Sequence, residues 1–212
     1  MPRYGLISER RNRLHEVIRL SGTAIQAGER TETLKVKVAS IPGIRLQVYF
    51  MDNAHFFKRK GVHADQEGKT FEDNGQRALF FASSVFETIS KLGWTPDVVH
   101  SFGWMGSLAP LLLQTKYADN PIFAKAKSMH TPGHISADET VVADFHTMLP
   151  APPEGSLEGL TVSEIGLRYA DQVVAPPNFA SDSPMERLVD DPVAMCEQTL
   201  ALYDQVLNEV AV

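Results

Sequence analysis

The chain has a single cysteine among its 212 residues, Cys196, so no intrachain disulfide can form. A reducing compartment, the cytoplasm, is the expected location. No run of about 18 apolar residues occurs, which gives no candidate membrane helix and no expected membrane partner. Met1-Pro2-Arg3-Tyr4-Gly5 lacks the apolar stretch of a secretory leader. Positive charge is in deficit, with a net charge of −6, so there is no basic field to neutralise nucleic-acid phosphates. The short run Arg10-Arg11-Asn12-Arg13 lies between Glu9 and Glu16 and reads as a solvated face. No Gly-x-Ser-x-Gly elbow, P-loop, His-Glu-x-x-His or three-glycine dinucleotide fingerprint is present. The common hydrolase, NTPase, zincin and dinucleotide readings therefore lose their motif support.

What is there is ordinary in amount, with 43% hydrophobic and 22% charged residues. At about 100–200 residues per domain, the length suits one domain with an extra element and is short for two full α/β lobes. Leu34–Ile41 and Ile44–Asp52 alternate apolar and polar residues around Pro42-Gly43 and are expected to form a hairpin. A polar loop is expected from Asn53 to Phe71, then a helix from Asn74 to Lys91 closed by Gly93. Short apolar strands are expected at Val98–Ser101, Lys127–Thr131 and Gln172–Ala175. Helices are expected at Gly103–Tyr117, Leu157–Ala170 and Pro192–Val210. Cys196 falls in the apolar pattern of that last helix and reads as a small buried hydrophobe. Such alternation implies an α/β fold: a Rossmann-like, mostly parallel sheet with helices on both faces, plus the hairpin.

Ligands in such sheets lie beyond the carboxyl ends of the strands. That singles out His100 to Gly103, His130 to His134 and Ala175 to Asn178. His100 could face a ligand or hydrogen-bond within the strand end. His130 could offer a neutral imidazole to a sugar hydroxyl. His130, His134 and Asp138 have a spacing that mimics a metal site, but Pro132-Gly133 breaks any helix between them, so no metal and no cofactor is expected. Asp52, Asp73 and Asp97 suit caps and turns as well as acid–base chemistry. Phe56, Phe57 and Trp104 could stack on sugar rings, although the two phenylalanines suit a core equally.

Several segments resemble the N-terminal domain of bacterial glycogen and plant starch synthases: Ile44–Lys60, Phe71–Ala78, Leu92–His100 and Tyr169–Ala175. Met1–Gly5 matches the end of that family's second strand. The resemblance runs in order over most of residues 1–180 and is nearest the short single-lobe forms of Bacteroidetes-type bacteria. It implies glycosyltransferase family 5, with one N-terminal lobe of the two-lobe GT-B architecture. Residues 1–180 would form that lobe, without its first strand and phosphate loop, and residues 181–212 a closing helix packed on it. The implied activity is hexosyl transfer from ADP-glucose to an α-1,4-glucan, making the glucan and ADP-glucose the expected partners. A partner chain or homo-oligomer would complete the sheet or the site.

The resemblance implies site residues one by one. His130 corresponds to a sugar-contacting histidine and His100 to the first histidine of a His-x-His-Asp-Trp-His loop. Trp104, Thr131, Asp73, Asn74 and Arg77 fall at substrate-binding positions. Phe102, Gly103 and Met105 replace that loop's second histidine, aspartate and third histidine. Two other readings stand beside the transferase: a non-catalytic glucan-binding or regulatory relative, and a fragment of a longer synthase.

Overall fold

The computed structural model describes residues 1–133, 149, 157–180 and 184–208. The chain divides into two compact units, Met1–Trp94 and Thr95–Val212.

The first unit is built on an antiparallel sheet. Its strands are β1 (His15–Glu16), β2 (Thr23–Ala27), β3 (Arg30–Ser40) and β4 (Gln47–Asp52). The expected hairpin forms, with β3 and β4 in register from Lys35↔Asp52 to Ser40↔Gln47. β3 extends beyond the expected strand, and its first half pairs with β2 across a two-residue turn at Gly28-Glu29. Gly28 adopts φ 68°, a left-handed turn conformation that favours glycine. The hairpin is therefore part of a four-stranded sheet, and Pro2 adds a parallel bridge to Met51 of β4. Leu34 and Val36 are fully buried, while Lys35 is exposed, as period-two alternation demands.

The expected polar loop after β4 contains a one-turn helix, α1 (Ala54–Phe57). Asn53 caps it by accepting from the Phe56 N–H at 3.0 Å. The turn drives Phe56 and Phe57 fully into the core, where they meet Phe80 at 5.1 and 5.9 Å between ring centroids. Burying each such ring is worth roughly 2–3 kcal/mol. Phe80 comes from α2 (Asn74–Leu92), which ends at Gly93 with φ 68°. The Gly93 N–H closes onto the Ile89 and Ser90 carbonyls, the capping that the sequence pattern implied.

The second unit carries a parallel sheet in the order β5-β6-β7-β8. The strands are β5 (Val98–Phe102), β6 (Lys127–Thr131), β7 (Gln172–Ala175) and β8 (Glu186–Arg187). The helix expected over Gly103–Tyr117 is two helices, α3 (Gly103–Gly106) and α4 (Ala109–Gln114). Pro110 lies in the first turn of α4, where its missing N–H costs nothing but starts a new helix. α5 (Val162–Tyr169) begins later than expected, at a reciprocal Thr161–Glu164 capping box.

α6 (Pro192–Asn208) lays Leu202, with Met195 and Tyr203, against Met129 and Val174 of the sheet. Cys196 is exposed, contrary to the buried position expected for it. Leu202 and Val206, the buried residues of α6, set its inner stripe, and position 196 lies at the edge of that stripe, two turns before the half-buried Tyr203. Helices thus cover both faces of a parallel sheet, giving the expected α/β class.

Candidate functional site

The carboxyl ends of β5 and β6 lie side by side, with Phe102 paired to Thr131 and Ser101 to His130. Because strand side chains alternate, this register sends the two expected histidines to opposite faces of the sheet.

His100 joins the α6 face. Its Nδ1 is 2.7 Å from the Tyr203 hydroxyl and its Nε2 is 2.8 Å from Thr131 Oγ1. Phe102 stacks on the same imidazole at 4.1 Å and 29°. Burial lowers the His100 pKa to about 4, so the ring is neutral near pH 7.

His130 points the other way and is completely buried. Ser101 Oγ donates to the Met129 carbonyl at 3.3 Å and sits 2.9 Å from His130 Nδ1. If the hydroxyl proton goes to Met129, Oγ accepts from Nδ1–H and Nε2 carries a bare lone pair; in the other tautomer Nε2 carries the proton. That nitrogen is buried and has no hydrogen-bond partner among the described residues. It faces Gly166 of α5, where a Cβ would lie only 2.8 Å away. Burial, with repulsion from His100, lowers the His130 pKa to about 4. Both imidazoles are therefore neutral at pH 7, each with one N–H, and neither is an imidazolium acid there.

The remaining expected residues of this edge divide clearly. Thr131 is buried and committed to His100. Trp104, expected as an exposed stacking surface, is only 4% exposed and belongs to the core, as do Phe56 and Phe57 in the first unit. Gly103 has φ 62°, and among the described residues the nearest atom to a Cβ built there, chain neighbours aside, is Gly133 Cα at 4.0 Å. His134 and Asp138 lie outside the described residues. Among the described residues no group of acidic, histidine or cysteine side chains could hold a metal.

Asp73, Asn74 and Arg77 lie in the first unit, at the start of α2. Arg59 grips Asp73 through two bonds, Nη1–Oδ1 at 2.7 Å and Nη2–Oδ2 at 2.5 Å. Burial opposes ionisation of Asp73, but Arg59 outweighs it, Arg77 adds to this, and the carboxyl is held below its ordinary pKa. Asn74 donates to the His63 carbonyl at 2.8 Å and accepts from Arg77 Nη1 at 2.5 Å. Arg77 Nε donates to the Phe56 carbonyl at 2.9 Å, with its guanidinium over Phe71 at 5.1 Å. Asn74 and Arg77 are both fully buried and brace the segment between α1 and α2 from beneath. Only Asp73 reaches a surface pocket of about 510 Å³, shared with Arg30, His55, Arg59, Lys69 and Phe71. Its mixed charges suit a polyol better than a strong anion.

Asp52 takes a structural role. It pairs with Arg3 at 3.0 Å and Lys37 at 2.9 Å, and Lys37 also reaches Glu9 at 2.6 Å. Sequence reasoning missed Arg59, Phe102 and Tyr203 as participants. Arg59 lay within the family-like segment Ile44–Lys60 without being singled out, and nothing local marks Tyr203 as the partner of a strand 103 residues earlier.

The model of the starch synthase catalytic domain matches residues 1–176. A glycogen synthase of Chlorobium luteolum is 33% identical over 219 aligned residues, covering 99% of this chain and 44% of that protein. A glycogen synthase of Chlorobium limicola is 42% identical over 188 residues, covering 86% of this chain and 38% of that protein. The chain thus spans less than half the length of these relatives. The catalytic domain of Starch Synthase IV from Arabidopsis thaliana, bound to ADP and acarbose, aligns with TM-score 0.60 and 15% identity. That alignment covers 96% of this chain and 42% of the plant chain, and shares the fold. No helix among the described residues is long and apolar enough to cross a membrane.

Proposed function

The chain belongs to the starch synthase catalytic domain family, and we propose that it serves as the glucan-acceptor part of a glucosyltransferase that extends α-1,4-glucan from ADP-glucose in the cytoplasm. One observation carries this assignment of roles. The strand-end segments 100–104, 131–133 and 175–178 contain no lysine, arginine, aspartate or glutamate. His100 within them and His130 just before them are held neutral by burial. A nucleoside diphosphate leaving group needs cations or a cluster of oriented donors. A neutral polyol needs only shape, an aromatic surface and dipoles.

In this reading residues 1–180 form the acceptor lobe, and residues 181–212 are the helix that closes it. The cations that hold the diphosphate come from outside these strand ends. Asp73 offers a hydrogen-bonding carboxylate to glucan in the first unit. His100 and Thr131 act as the rigid base of the strand edge, and His130 supports it from the opposite face.

The test is co-sedimentation of the purified chain with glycogen, alongside incubation with labelled ADP-glucose and a maltooligosaccharide. Glucan binding without chain extension is the expected result. Absence of glucan binding overturns the proposal, and extension by the chain alone overturns the division between acceptor and donor parts.

A further inference from the structure

We propose that Phe102 is a preassembled aromatic platform on which an uncharged pyranose ring of the glucan stacks. The inference rests on the glucan-acceptor reading and assigns the contact to one side chain. A single exposed apolar residue is ordinary by itself. Phe102, 61% exposed, differs from such a residue in what lies behind it.

Its inner face rests on the His100 imidazole at 4.1 Å and 29°. That imidazole is held at both nitrogens, by Tyr203 at 2.7 Å and Thr131 at 2.8 Å, and meets the Tyr203 ring edge-on at 5.6 Å. Three elements, β5, β6 and α6, therefore hold the aromatic pair in place. Most of the ordering entropy of a stacking surface is spent on folding instead of on binding.

The position suits a ligand as well. Phe102 ends β5 at the carboxyl edge of a parallel sheet, where such sheets receive ligands. Gly103 follows it with φ 62°, and Gly133 Cα lies 4.0 Å from the place of a Gly103 Cβ. These two glycines leave a low backbone floor beside the ring. Segments 100–104 and 131–133, which adjoin the ring, contain no lysine, arginine, aspartate or glutamate, as suits a neutral ring. The flat C–H face of a glucose unit matches that surface, with apolar contact supplying the affinity.

The test measures binding of maltoheptaose and of ADP by isothermal titration to the whole chain and to three variants. Phe102→Ala is expected to weaken maltoheptaose binding about tenfold while leaving any ADP binding unchanged. Phe102→Tyr and Phe102→Trp are expected to keep it within about threefold. Thermal melting and circular dichroism of each variant check that the fold is intact, and the aromatic variants keep the test decisive if Phe102→Ala unfolds. Equal maltoheptaose affinity in the wild type and in a folded Phe102→Ala overturns the platform and leaves the glucan-acceptor reading standing. Loss in the tyrosine and tryptophan variants as large as in alanine also overturns it, as does a loss that falls on ADP alone. A wild type that binds no maltoheptaose overturns the acceptor reading, and the platform with it.

Discussion

The contact between His130 and Gly166 makes a quantitative prediction about Gly166→Ala. A Cβ at residue 166 would lie 2.8 Å from His130 Nε2, 2.9 Å from its Cδ2 and 3.0 Å from Ser107 Cα. Carbon contacts are comfortable at about 3.5–4.0 Å, so the new methyl overlaps on two sides. The ring cannot swing away cheaply, because Ser101 holds Nδ1 at 2.9 Å and the site is fully buried. Overpacking of this kind costs about 1–3 kcal/mol. Alanine in the helix interior returns about 1 kcal/mol over glycine. The net expectation is a loss of up to about 2 kcal/mol, read from urea unfolding midpoints at constant slope. The same substitution in a His130→Ala background should cost little or stabilise, because two of the three close contacts vanish. The cycle should therefore show a coupling of at least about 1 kcal/mol. A gain of about 1 kcal/mol from Gly166→Ala in both backgrounds would refute the idea that the ring is locked against α5.

Stability should also follow the histidines. The folded chain keeps His130 neutral down to a pKa of about 4, against 6.5 when unfolded. The unfolded state therefore binds the proton first, and this contribution is complete above about pH 6.5 and lost as the pH falls towards 4. His130 alone accounts for about 3 kcal/mol over that window, and His100 acts with the same sign. Urea midpoints that stay flat between pH 7 and pH 4.5 would contradict this. Asp52→Asn should cost about 3 kcal/mol, because it leaves Arg3 and Lys37 buried beside a neutral side chain, with Glu9 the remaining carboxylate. A midpoint within experimental error of the wild type would rule that out. Gly103→Asp should fold, because its nearest neighbour among the described residues is 4.0 Å away, but should lose about 1 kcal/mol to the left-handed φ of 62°. Thermal melting checks the size of that loss.

Much of the architecture was legible from local pattern. The β3–β4 hairpin, α2 with its glycine cap, and β5, β6 and β7 all follow from periods of two and 3.6 residues. The losses came where tertiary context outranked local chemistry. The polar composition of residues 53–71 hid a turn whose two phenylalanines are core. β2 was missed because Thr23–Ala27 is too short to show alternation without its partner.

The candidate site was less legible than the fold. By itself the sequence determined the family, the α/β class and which residues end β5, β6 and β7. Alternation along β5 also implies that His100 and Ser101 point to opposite sides. Which side His130 takes depends on the pairing of Ser101 with His130, and no local pattern encodes a register between segments 29 residues apart. Burial was likewise decided only by the assembled structure. Arg77 and Asn74 carry polar groups that favour the surface, yet both are fully enclosed, because α1 and Phe71 supply partners for Arg77 while the His63 carbonyl and Arg77 itself supply those of Asn74. Phe102 has the opposite fate, an apolar ring left in solvent because β6 and α6 fix the imidazole beneath it. Hydrophobicity is a property of a side chain, whereas exposure depends on what the rest of the chain brings to it.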